Sequence, residues 1–66
     1  MKDNPNLVTA DYNPDHNIGY AYRGKWCIAE LRFNTDEIEF FENLDEDAKK
    51  WCYDLITEIK KEYEAL

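Results

Sequence analysis

The residues of this chain that could do covalent or metal chemistry are few and far apart. Cys27, Cys52 and a single histidine, His16, are the only thiol and imidazole groups in 66 residues. No two of them have the close spacing of a zinc knuckle, so metal binding is not expected. Nucleophilic catalysis by a Cys-His pair would need an accessible, activated thiolate. The patterns described below turn both cysteines towards a core, where reduced, buried thiols are expected in preference to a bridge. The chain has no serine, no glycine-rich phosphate loop and no paired-histidine metal motif. A domain of this size also has little room to enclose a substrate pocket of roughly several hundred Å3. Neither an enzyme nor a cofactor is therefore expected, and His16, beside Asn13-Pro14-Asp15, reads as a loop residue.

Carboxylates are the abundant reactive type. Fifteen Asp and Glu stand against 8 Lys and Arg, a formal net charge of −7. Such a field repels phosphate backbones, so direct nucleic-acid binding is disfavoured. It favours a basic protein partner, which could itself be a nucleic-acid-binding protein. Asp47, Asp54, Glu58 and Glu62 fall on one side of a helix at about 100° per residue. Residues four apart lie about 6 Å apart along the axis, close to the spacing of phosphates along a nucleic-acid strand. Glu37, Glu39 and Glu42 could extend that row. The competing reading is an ordinary solvated helix face, because Asp45 with Lys49 and Glu46 with Lys50 are i,i+4 pairs, and Lys50 and Lys61 border the row.

The elements that must position these groups can be read from hydrophobic period. Two Trp, five Tyr and three Phe are far more aromatics than a solvating tail needs, so the chain is expected to fold. Its length bounds it to one domain with one small core. Residues 1–6 read as a flexible tail and 7–66 as the domain. Residues 7–12 are a candidate edge strand, followed by the turn signal Asn13-Pro14-Asp15. Residues 18–23 and 26–33 form the arms of a hairpin joined by Gly24-Lys25, which suits a type II′ turn. That turn places Tyr22 opposite Cys27, Tyr20 opposite Ala29 and Ile18 opposite Leu31, all six on one apolar face. A turn at Thr35-Asp36 then pairs Phe33 with Ile38 and Leu31 with Phe40 on the same face, with Arg32 meeting Glu39 on the other.

The last third reads as a helix with Asn43 as N-cap and Glu46 three residues on. Ala48, Cys52, Leu55, Ile59 and Leu66 recur at helical spacing, flanked by Leu44, Trp51 and Tyr63. Packing this stripe on the apolar sheet face predicts an α+β domain of two layers, a three-stranded antiparallel meander (four with the edge strand) under one C-terminal helix. The same register gathers Ala21, Trp26, Ile28 and Phe41 on the outer face of the sheet. Such a cluster suggests a partner surface or a homodimer interface, unless the first strand folds over it.

In size, acidity and compact α+β character the chain resembles phage-encoded inhibitors, including anti-CRISPR proteins and DNA mimics; no signature residue carries that resemblance. It implies a small inhibitor or modulator that covers a basic surface of a target through the acidic row, with Trp26 or Phe41 as an apolar anchor. The alternative is a structural or assembly subunit that oligomerises through its outer sheet face, and a small-ligand binder at a subunit junction is a third. No segment is apolar enough to span a membrane and residues 1–6 lack a signal-peptide pattern. The expected compartment is the cytoplasm, that of the host if the chain is phage-encoded.

Overall fold

A computed structural model describes residues 8–66. The expected tail at 1–6 and Leu7 lie outside the described residues. Strands β1 (Val8–Asn13), β2 (Ile18–Arg23), β3 (Trp26–Arg32) and β4 (Glu37–Phe40) precede helix α1 (Glu46–Glu64). The strands form one antiparallel sheet in the order β1-β2-β3-β4, and α1 covers one face of it. The fold is a two-layer α+β domain with the candidate edge strand present as β1.

Turn chemistry explains the connections. Gly24, at φ 62°, opens the two-residue turn between β2 and β3, with Lys25 at negative φ, as a type II′ turn requires. The other two hairpins close through four residues, and each ends on an Asx residue in the left-handed region: Asn17 and Asp36, both at φ 56°. Asn and Asp tolerate that conformation better than other side chains with a Cβ. The β3–β4 connection is thus longer than Thr35-Asp36 alone. Leu31 pairs with Ile38 and Ala29 with Phe40, a shift of two residues from the expected register. Because side chains alternate with period two, a shift of two leaves every face unchanged.

The β2–β3 hairpin differs in a way that matters more. Arg23 pairs with Trp26 and Tyr22 with Cys27, as the turn dictates, but Ala21 then pairs with Ala29. Ile28 is the extra residue of a β-bulge. Beyond it the register moves by one, so β2 presents its other side to the helix. Gly19, Ala21, Ile28, Ala29 and Leu31 are buried, whereas Ile18, Tyr20, Tyr22 and Cys27 lie on the open face. The expected inward placement of those last four is corrected. The expected placement of Ala29, Leu31, Phe33, Ile38 and Phe40 towards the helix stands.

The bulge allows close packing of the helix. A Cβ built on Gly19 would come within 2.2 Å of Ile56 Cγ2, so a glycine floor is what lets Ile56 seat fully buried on β2. Ile56 was not in the expected stripe, yet it and Cys52 are the buried residues of α1. Ala48, Leu55 and Ile59 are half-buried around them, while Leu66 is fully exposed. The helix begins later than expected. Asp45 is the N-cap, its carboxylate accepting from Ala48 N–H at 2.8 Å, and Glu46 and Asp47 complement the dipole in the first turn. Starting here leaves Leu44 outside the helix and free to pack on the core.

Candidate functional site

The four carboxylates of the expected helix row are all exposed on α1. Asp54 pairs with Lys50 at 3.4 Å. Asp47, Glu58 and Glu62 have no basic side chain within 4.0 Å among the described residues. Helical phase puts Trp51, one turn after Asp47 and just before Asp54, inside this row. Trp51 is 40% exposed. Sequence reasoning had set Trp51 beside the core stripe. Its angular position, about 40° from Asp47 and some 60° from Asp54, was the signal that places it among the acids.

Beside Trp51 lies a depression of about 270 Å3 lined by Val8, Ile28, Leu44 and Ala48, with Asp47 on its rim. Arg23 reaches the same depression and is held by a salt bridge to Glu42. A second depression, of about 290 Å3, sits at the other end of β1 between Asp11, Tyr12, Ile59, Glu62, Tyr63 and Leu66. The two depressions mark the ends of a seam between β1 and the acidic side of α1. Leu55 lies one helical turn from both Trp51 and Ile59 and so occupies its middle.

Tyr12 anchors the far end of the seam. Its hydroxyl donates to Asn17 Oδ1 at 2.6 Å, and its ring meets Phe33 and Tyr63 edge-on at 5.7 and 5.5 Å. The Lys60 ammonium stands over the Tyr12 and Phe33 rings at 5.8 and 5.2 Å. A hydrogen bond from Lys60 to the Glu64 carboxylate raises its pKa above that of an ordinary lysine.

The remaining expected site residues are scattered. Glu37 and Glu39 alternate with the helix-facing Ile38 and Phe40, so they lie on the open face and cannot continue the helix row. Glu39 pairs there with Arg32 at 3.4 Å, and Glu30 pairs with the same guanidinium at 3.5 Å. Glu42 is committed to Arg23. The outer apolar cluster is not formed: Ala21 and Ile28 are fully buried beneath the helix because of the bulge, while Trp26 (75%) and Phe41 (50%) remain exposed. Phe41 N–H donates to Ile28 O at 2.9 Å, continuing the β3–β4 ladder.

The thiols also part company. Cys52 is buried in the core, and Cys27 is half-buried on the open face with its Sγ 3.4 Å from Ala29 O. The sheet separates them, so they are free thiols, and the expected inward placement holds for Cys52 alone. Burial pushes both pKa values above the ordinary thiol value. No cluster of three or more His, Cys, Asp or Glu able to hold a metal occurs among the described residues, and none of their helices is long and apolar enough to cross a membrane. No family model matches the chain, and comparisons with curated proteins and with solved structures give no significant match.

Proposed function

We propose that the protein is a binding module that covers a basic surface on a protein partner, acting as an inhibitor or modulator of the kind the phage-encoded acidic proteins exemplify. The observation that carries this reading is Trp51, 40% exposed within the row of Asp47, Asp54, Glu58 and Glu62. Interfaces draw much of their affinity from a few aromatic anchors surrounded by polar contacts. A Trp face also attracts guanidinium and ammonium groups directly. Lys or Arg side chains on the partner would lay their apolar stems on Trp51 and Leu44 and present their charges to the carboxylates. The row spans about 22 Å from Asp47 to Glu62 at 1.5 Å per residue, long enough to meet several basic side chains.

The subunit alternative has less support. Its apolar cluster is dismantled by the burial of Ala21 and Ile28. The open face carries Ile18, Tyr20 and Tyr22 together with Asp11, Glu30, Glu37 and Glu39 around Arg32, and the excess of carboxylates there opposes a second copy.

Recovery of partners on immobilised protein tests the reading. Trp51→Ala, and separately the combined Asp54→Lys, Glu58→Lys and Glu62→Lys exchange, should each release a specifically bound basic protein. Moderate salt should elute it from the wild type. A partner retained by both variants and indifferent to salt would overturn the proposal.

A further inference from the structure

The seam beside Trp51 runs along a sheet edge, and the hydrogen-bond pattern shows which backbone groups that edge leaves open. Phe33 N–H donates to Asn17 O at 3.1 Å. Asn17 therefore turns its backbone towards β3, and with it, by period two, Gly19 and Ala21. Ile18, Tyr20 and Tyr22 turn theirs towards β1, where their partners are Asn13, Asp11 and Thr9. Val8, Ala10 and Tyr12 must then direct their N–H and C=O groups away from the sheet. An independent contact agrees: Tyr12 N–H donates to the carboxylate of its neighbour Asp11 at 2.8 Å.

Among the described residues this edge has one protection, the Asp11 carboxylate on Tyr12 N–H, and lacks the others. β1 contains no Lys, no Pro and no bulge, the devices by which edge strands discourage added partners. The opposite edge, β4, is only four residues long. Side chains of Val8 and Tyr12 line the two depressions, so residues of a strand laid opposite them would enter the same hollows under the helix. Each hollow has an apolar floor; Asp47 borders the first, beside an Arg23 already neutralised by Glu42, and Glu62 borders the second.

We infer that β1 accepts a fifth strand: an extended segment of a protein partner whose Arg or Lys side chains alternate towards the helix. Their stems fill the hollows beside Trp51 and Tyr63, and their charged ends meet Asp47 and Glu62. Main-chain hydrogen bonds to Val8, Ala10 and Tyr12 hold the strand, with the Asp11 carboxylate yielding the Tyr12 N–H. This is strand addition, and charge complementarity selects its occupant. The inference rests on the proposed basic partner and specifies the element that partner supplies.

The probe is a seven-residue peptide of alternating Arg and Thr, capped at both ends and titrated calorimetrically. Two peptides N-methylated at alternate positions, one in each phase, leave the protein untouched. One phase should weaken binding at least tenfold and the other should not, since only every second peptide N–H faces β1. Ala10→Pro removes an N–H that points away from β2 and has no partner among the described residues, so it should give the same loss with an unchanged circular dichroism spectrum. If the peptide binds with steep salt dependence but ignores both N-methyl phases and Ala10→Pro, strand addition is wrong while the acidic surface stands. Absence of any binding overturns both readings. A wild-type dimer in sedimentation that Ala10→Pro disperses would assign the edge to a second copy and overturn the choice of partner.

Discussion

Strand β2 gives Gly19 and Ala21 to the covered face of the sheet, and Ile18, Tyr20 and Tyr22 to the open one. The larger apolar groups are thus on the side without a helix. On the covered side the residue that matters most is the smallest, because Ile56 Cγ2 occupies the space a Gly19 Cβ would need. On the open side Tyr20 and Tyr22 lie against each other with ring centroids 6.2 Å apart, half-exposed beside Glu30 and Arg32. One face is specified by close approach, the other by coverage of backbone with amphipathic side chains. Size and apolar character alone do not tell which face a helix will choose.

The largest test of this contrast is Ile56→Ala, which empties the centre of the covered face. Core Ile truncations cost about 2–5 kcal/mol, and a domain of this size has little more to lose. Thermal denaturation followed by circular dichroism should show a large fall in Tm or outright unfolding. Gly19→Ala comes next, at about 1–3 kcal/mol by overpacking. A double-mutant cycle sharpens it. In the Ile56→Ala background the offending Cγ2 is gone, so the added methyl at residue 19 should cost much less. Additive effects would place Ile56 elsewhere.

On the open face Tyr20→Thr exchanges an aromatic for a β-branched residue that also favours strands, and should change stability by under about 1 kcal/mol. A loss as large as that of Ile56→Ala would mean that the tyrosines face the core. The smallest effect separates the cysteines. Cys27 should react slowly with a bulky thiol reagent at neutral pH, and Cys52 only on unfolding, since burial raises both thiols above their ordinary value. A raised thiol pKa means that the folded state holds its proton more firmly. The associated stability is complete below about pH 8.5, the unfolded value, and declines as pH rises past it.

Much of this arrangement was legible in the residues. The meander, the C-terminal helix and the Gly24-Lys25 turn follow from period and turn chemistry, and the acidic row follows from helical spacing. The inversion of β2 does not. A bulge has no composition of its own at Ile28, and the apolar count of the unbulged register was higher than that of the real one. The deciding term is steric fit between Gly19 and Ile56, thirty-seven positions apart in the chain, which no local pattern reports. Trp51 does flank the core stripe as its spacing suggests, beside Leu44 and Cys52; that it also borders the carboxylates emerges only when its angle to them is measured.

The glycine and alanine floor beneath Ile56 also bears on the order of folding events. Hairpins can close on their own in microseconds, but here the floor offers little apolar area to hold β1, β2 and β3 together while uncovered. Helix docking must supply it, and α1 packs on β1, its most distant partner in sequence, as well as on β2 and β3. Sheet and helix therefore have to commit together. The barrier should include both layers, and substitutions at Gly19 and Ile56 should slow refolding as well as speed unfolding. Amides of Ala21 and Ala29 should then exchange with solvent only through global opening, at one common free energy.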